Sequence, residues 1–442
     1  MSIARLTLPR HAEPIHGALT LPGSKSETQR ALILAALADG SSIVRRPSES
    51  RDSALCVEAL RTLGIAIDDA AAGVWTVAGR GGEFDVLRGT LDFELAGTSL
   101  RFCLPLCAST PRGSDIVVTG NDRMRERPIG DLVAALLAAG ADIEEQARSG
   151  CPPLRVRGVG RLRGGTIGVC GRTSSQFISA LMLAASRFDR PLTLEIRDPV
   201  PSWSFVEWTA EVSERFGVPC RVDRERIEIE AHPPRATVID IEGDGAGASY
   251  FWGWAALSGG RIRLSPLRPD SRQGDVRFAE VLERMGCDVS ASTAPDEEPW
   301  IEVGGPGTLG AIDVDLSALP DTAQTLAVIA AFAEGTTRIR GLESLPFKET
   351  DRLRAMVDEL GRWGIEARST RDSLEVIGDP RAFASRRDLV VRTHGDHRMA
   401  MAFSLLAART SVTIEDPEVV EKSFPSYWER LSSLGVESDV RE

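Results

Sequence analysis

Six times along the chain, an apolar helical run ends at a glycine and gives way to an extended segment. The clearest form is Leu-x-x-apolar-Gly, as in Leu60 to Gly64, Leu282 to Gly286 and Leu431 to Gly435. Leu360 to Gly364 has the same form, and looser copies end at Gly140 and Gly217. Each glycine stands where a helix end needs positive φ. The spacing is roughly 70–78 residues, which reads as an internal repeat. About 40 residues before each glycine, a polar or glycine-rich helix start precedes an apolar helix. These starts are Ser24 to Arg30, Gly97 to Ser99, Thr173 to Gln176, Gly243 to Ser249, Pro320 to Gln324 and Gly395 to Arg398.

Between the two helices of a unit, alternating segments such as Asp115 to Thr119 and Thr337 to Arg340 predict strands. Further strand-like runs follow the second helix, for example Leu154 to Arg157 and Arg226 to Glu230. The unit is helix, strand, helix, strand, often strand. Six units predict an α/β protein of two similar domains with three units each. The expected domains are 22–242, and 1–21 together with 243–442. Residues up to about Leu21 are expected to pair with the second half. If equivalent helices run the same way, their N-termini share a face, and two such faces would enclose an anion site between the domains.

The first helix start carries the most polar chemistry. Pro22-Gly23 breaks what precedes it, Ser24 suits an N-cap and Glu27 completes a capping box. The apolar run Ala31 to Ala38 then buries the helix. Lys25 and Arg30 add positive charge where free N–H groups already favour an anion. A Walker-type loop does not fit, because Ser24 separates Gly23 from Lys25. A capped surface helix with solvated charges explains this stretch alone equally well.

Composition narrows the choice. The chain has 442 residues, 42% hydrophobic and 26% charged, as in an ordinary globular protein. Its net charge of -12 argues against nucleic acid or an acidic membrane as partner. An anionic ligand would need a basic pocket within an acidic protein. No run is long enough to span a membrane, and Met1 to Pro22 lacks a signal-peptide core. Seven scattered cysteines form no metal-binding pair, so no metal and a cytoplasmic setting are expected. Only Lys25, Lys348 and Lys422 are lysines among 52 basic residues. In a chain this biased to arginine, each retained lysine points to a need for a compact ammonium.

Other polar stretches share this character. Asn121 to Pro128 places three arginines ahead of a helix, with Pro128 as its expected first residue. Phe347 to Arg352 mixes acids and bases, with Lys348 and Arg352 one turn apart if helical. His394 to Met401 starts another helix with a cation, and Glu421 to Pro425 contains the third lysine.

In chain order come Leu-Pro-Gly-Ser-Lys-Ser, Ala-Gly-Thr before Arg101, Arg-Met-x-Glu-Arg-Pro, Ser-Ser-Gln-Phe, Lys-Glu-Thr-Asp-Arg, Asp-His-Arg-Met-Ala-Met and Lys-Ser-Phe-Pro. With these motifs the chain resembles the 5-enolpyruvylshikimate-3-phosphate synthases (3-phosphoshikimate 1-carboxyvinyltransferases) from Pro22 to Pro425. The resemblance implies two domains of three βαβαββ units each, the inside-out α/β barrel of enolpyruvyl transferases. It implies enolpyruvyl transfer from phosphoenolpyruvate to shikimate 3-phosphate, with no cofactor, in a cytoplasmic monomer.

The resemblance also implies roles. Lys25, Asp321 and Glu349 would be catalytic. Lys25, Ser26, Arg30, Ser174, Ser175, Gln176, Ser202, Asp321, Ser344 and Lys348 would bind shikimate 3-phosphate. Lys25, Gly97, Arg123, Gln176, Arg352, Arg398 and Lys422 would bind phosphoenolpyruvate. Leu95, Ser344, Pro346, the segment Ser202 to Phe205 and Gly245-Ala246-Gly247 depart from the family's usual residues. The alternative acceptors are UDP-N-acetylglucosamine and a cyclitol acid of secondary metabolism. The sister enzyme for the amino sugar normally carries a loop cysteine, and Asn121 to Pro128 has none.

Overall fold

The computed structural model describes residues 5–380 and 390–441. Contacts divide the chain into two compact units, Gly23–Ile241 and Met1–Pro22 with Glu242–Glu442. Each unit holds three four-stranded sheets, and all six sheets share one pattern. A parallel pair forms one edge and two antiparallel pairings complete the sheet. In one copy, Arg88–Asp92 runs parallel to Asp115–Thr119. Asp115–Thr119 is antiparallel to Leu154–Arg157, which is antiparallel to Asp142–Glu145. No described sheet closes on itself.

Two sheets take their parallel edge strand from a distant part of the chain. His16–Thr20 pairs with Arg261–Ser265, and Val238–Asp240 pairs with Asp39–Arg45. In each case the strand leads directly into a helix of the other unit. The crossing after Pro22 demands a residue without Cβ. A methyl group on Gly23 would lie 1.8 Å from the Arg46 carbonyl oxygen.

The unit Gly23–Ile241 contains α1 (Lys25–Leu37), α2 (Arg51–Thr62), α3 (Gly97–Ala108), α4 (Gly130–Ala138), α5 (Gln176–Leu183) and α6 (Ser204–Arg215). The other contains α7 (Gly245–Ser258), α8 (Phe278–Arg284), α9 (Ala323–Ala330), α10 (Arg352–Arg362), α11 (His397–Ser404) and α12 (Tyr427–Ser433). The first helix of each repeat is buried on nearly all sides, polar first turn included, within its unit's core. In α1 every residue from Glu27 to Leu37 is buried, and α9 and α11 are buried throughout. The second helices carry a single apolar stripe, such as Leu353, Met356 and Leu360 on α10.

A fully buried helix must still satisfy its first N–H groups. Side chains cap several of these starts. Ser24 accepts from the Glu27 N–H at 3.5 Å, Asp244 from Gly247 at 2.8 Å and Asp396 from Arg398 at 2.9 Å. Capping thereby places a polar residue at the starts of α1, α7 and α11.

Two local expectations need correction. Helix α4 begins at Gly130, so Pro128 is not its first residue. The Gly150 carbonyl accepts from the N–H groups of Ile129 and Gly130, and Arg101 donates to the Pro128 carbonyl, so these groups are bonded outside the helix. Nor do Lys348 and Arg352 share a helical turn. Lys348 follows the 3-10 turn Leu345–Phe347 in extended conformation, and Asp351 caps α10 so that Arg352 is its first residue.

Candidate functional site

In the unit Gly23–Ile241, the predicted residues gather at the starts of α1, α3 and α5. Lys25 is the first residue of α1, and its Nζ lies 2.9 Å from the Asp52 carboxylate on α2. Asp52 is 3% exposed and Lys25 12%, so the ammonium is held by a nearly dry partner. Gln29 donates to Ser99 at 2.9 Å, tying α1 to α3. Gln176 donates to Thr98 at 3.0 Å, tying the start of α5 to that of α3. Ser174 accepts from the Gln176 N–H at 3.2 Å, and Ser175 is buried beside it.

Gly97 opens α3 beneath two guanidinium groups. A methyl group there would lie 2.5 Å from Arg127 Nη1 and 2.6 Å from Arg101 Nη1. Arg101 bonds the Gly97 and Pro128 carbonyls at 2.8 and 2.9 Å. Arg123 lies on the loop between Thr119 and α4, with Glu126 3.0 Å from its Nη1. Ser202 precedes α6 with φ of 55°, an uncommon conformation for a residue with a side chain.

Arg30 is turned inward from the helix start. It bonds Thr209 at 2.8 Å, the Ser26 carbonyl at 2.8 Å and the Phe205 carbonyl at 3.2 Å. The faces of Phe102, Phe205 and Trp208 surround its guanidinium at 5.2–5.6 Å. Burial pushes this guanidinium down to about 9, partly opposed by Glu27. Glu27 itself bonds Arg215 on α6 at 2.8 Å. The Arg30 cation is therefore poorly compensated by carboxylate charge, though a guanidinium stays protonated at neutral pH.

The other unit builds one ionic network around Arg352, which is 1% exposed. Its Nε bonds Asp396 at 2.7 Å, Nη1 bonds Asp321 at 2.8 Å and Nη2 bonds Glu349 at 2.8 Å. Arg398 reaches the second Asp321 oxygen at 2.9 Å and the Tyr250 hydroxyl at 3.2 Å. Lys348 Nζ stands 3.5 Å from Asp321, and Lys422 Nζ stands 3.7 Å from Glu349. Ser344 sits at the head of the turn leading to Lys348.

Burial acts to raise the Asp321 carboxyl, but Arg398, Lys348 and Arg352 outweigh it and hold it well below the ordinary range. For Arg398 burial acts the other way, and Asp321, Tyr250, Asp275 and Asp244 more than compensate. The network thus supplies an ionised carboxylate and a glutamate amid four cations. Such a group can orient a hydroxyl and grip a small polyanion.

The family model described as EPSP synthase (3-phosphoshikimate 1-carboxyvinyltransferase) matches residues 9–431. The chain belongs to the EPSP synthase family. It is 40% identical to the 3-phosphoshikimate 1-carboxyvinyltransferase of Nitrosomonas europaea over 437 residues, covering 97% of this chain and 98% of that one. It is 39% identical to the chloroplastic 3-phosphoshikimate 1-carboxyvinyltransferase of Brassica napus, covering 95% and 83%. The solved EPSP synthase of Acinetobacter baumannii superposes with a TM-score of 0.80 at 25% identity, covering 99% and 100%. The enolpyruvyl transferase NikO of Streptomyces tendae shares the fold, with a TM-score of 0.78 at 18% identity over 100% and 99% of the two chains.

In this member of the EPSP synthase family, three neighbours of the predicted residues were given no role of their own from the sequence. Asp52 reads as an ordinary acid in a first helical turn. Asp396 reads as an N-cap, yet it also anchors Arg352. Tyr250 lies inside an apolar helix and bonds Arg398.

Proposed function

We propose that this EPSP synthase family member transfers the enolpyruvyl group of phosphoenolpyruvate to the 5-hydroxyl of shikimate 3-phosphate, releasing phosphate. The reaction belongs to the shikimate pathway to aromatic amino acids. Family membership supports the activity. The structural observation that carries it is the network joining Asp321, Glu349, Arg352 and Arg398 within hydrogen-bond distance.

In the addition step, the O5–H bond breaks, O5 bonds C2 of phosphoenolpyruvate and C3 gains a proton. In the elimination step, the C2–O bond to phosphate breaks and C3 loses a proton. In this reading, Asp321 binds the 5-hydroxyl and takes its proton. Glu349 handles the C3 proton, with Lys25 as partner. Arg123, Arg352 and Arg398 grip the phosphoenolpyruvate carboxylate and phosphate, aided by Lys422. Gly97 lets backbone approach the same substrate closely, and Gln176 lies between the ligands.

Ser26, Arg30, Ser174, Ser175 and Ser202 hold shikimate 3-phosphate, with Ser344 and Lys348 on its other side. The poorly compensated Arg30 cation supports an anionic acceptor, because an incoming carboxylate or phosphate would restore local charge balance. In this reading the protein works as a cytoplasmic monomer.

Incubation with both substrates, followed by mass spectrometry, tests the proposal. The expected product is shikimate 3-phosphate bearing one carboxyvinyl ether, formed in step with phosphate. Recovery of both substrates unchanged would refute it.

A further inference from the structure

One buried carboxyl near Asp321 has no part in the reaction so far. Asp275 lies in the 3-10 turn Gly274–Arg277 and is 5% exposed. Its Oδ1 is buried and has no hydrogen-bond partner among the described residues. The turn packs against α7 and against the turn Pro320–Thr322, which carries Asp321. The packing on α7 is tight, since a methyl group on Gly245 would lie 3.0 Å from the Val276 nitrogen and 3.4 Å from the Asp275 carbonyl carbon. Asp275 is therefore fixed beside the α7 start and the Asp321 turn.

The charged groups that act on Asp275 are Asp321, Arg398, Asp244 and Lys348. The charged residues of the adjoining α8 (Glu280, Glu283 and Arg284) are exposed. Tyr250 of α7 bonds Arg398. An unsatisfied polar atom in such a place is destabilising. A group that exchanges a proton with a neighbouring carboxylate gives that oxygen a use.

Asp321 needs such a neighbour. Cations hold its carboxyl low, so it is ionised but binds a proton weakly. We propose that Asp275 receives the 5-hydroxyl proton from Asp321 and holds it through the addition step. As O5 bonds C2, the hydroxyl proton passes to Asp321 and on to the Asp275 carboxylate. Asp321 regains its charge opposite Arg352 and Arg398. When the C2–O bond breaks, the proton returns through Asp321 to the departing phosphate. Burial, then the Asp321 charge, push the Asp275 carboxyl up to about 7, against Arg398 and Lys348. Two carboxyls with oppositely displaced affinities suit an acceptor and its reservoir.

The assignment rests on the transferase reading, and the test separates the two. Steady-state rates are measured between about pH 5 and 9 for the wild type and Asp275→Asn. Asp275 accepts a proton only when it is ionised, so wild-type kcat should rise with pH through an inflexion near 7. Asp275→Asn should lose that inflexion and about tenfold in kcat, with KM for both substrates within about twofold. A variant that keeps the inflexion overturns the relay and leaves the transferase reading standing. A wild type without turnover overturns both. If Asp275→Asn does not fold, wild-type infrared spectra decide. A protonated-carboxyl band should vanish as pH rises through about 7, and its absence at low pH overturns the relay.

Discussion

Lys25→Met separates catalysis from stability. The Lys25 ammonium lies 2.9 Å from a carboxylate that is 3% exposed. At that distance the attraction is about 6 kcal/mol with an effective dielectric near 20. Desolvation of both groups offsets much of it, so the intact pair adds little net stability. Removing one partner is different, because the other charge stays buried without the counter-ion that stood 2.9 Å away. Breaking a buried pair costs about 3–5 kcal/mol. Lys25 keeps 12% exposure, which admits some water to Asp52 and favours the lower end, about 3 kcal/mol. Lys25→Met/Asp52→Asn strands no charge and should recover to within about 1 kcal/mol of the wild type. Both variants should lack turnover. Hydrogen exchange of α1 and α2 peptides at increasing urea assigns the change to the correct unit. Lys25→Met as stable as the wild type would refute the stranded-charge argument. Turnover in the double variant would refute the catalytic role.

Further substitutions test the rest of the site. Gly97→Ala puts a methyl group 2.5 Å from Arg127 and 2.6 Å from Arg101, and should raise KM for phosphoenolpyruvate about tenfold; an unchanged KM would remove the close-approach claim. Glu349→Gln should slow deuterium exchange at C3 of phosphoenolpyruvate by about a hundredfold. Calorimetric affinity should change far less, and equal losses would count against proton transfer. Arg352→Gln leaves Asp321, Glu349 and Asp396 without their shared cation, and should destabilise the Glu242–Glu442 unit by about 3–5 kcal/mol in urea. A shift below about 1 kcal/mol would mean the carboxylates find other partners.

The repeat was legible because its markers are local. Gly64, Gly140, Gly217, Gly286, Gly364 and Gly435 all have positive φ, as a helix end requires. The apolar run Ala31 to Ala38 announced a helix buried on all sides. Strand pairing was less legible, because a segment as short as Val238–Asp240 cannot name its partner, Asp39–Arg45. The same limit applies to the site. Arg398 stood out as a cation at a helix start, and Arg352 within the motif Lys-Glu-Thr-Asp-Arg. The importance of Asp396 comes from an arginine 44 positions away, and that of Asp52 from a lysine 27 positions away. Each of these acids has a local explanation as a cap or first-turn acid, which hid its distant partner. Pro128 and Lys348 misled for a related reason. Their local signals favoured helix, while bonds from Arg101 and the Asp351 cap set where each helix begins.

The acceptor of the enolpyruvyl group distinguishes this enzyme from its possible relatives in function. Phosphate release from phosphoenolpyruvate is measured with shikimate 3-phosphate and, separately, with UDP-N-acetylglucosamine. Release should be stoichiometric with shikimate 3-phosphate and no greater than background with the amino sugar. Release with the amino sugar alone would contradict shikimate 3-phosphate as the acceptor.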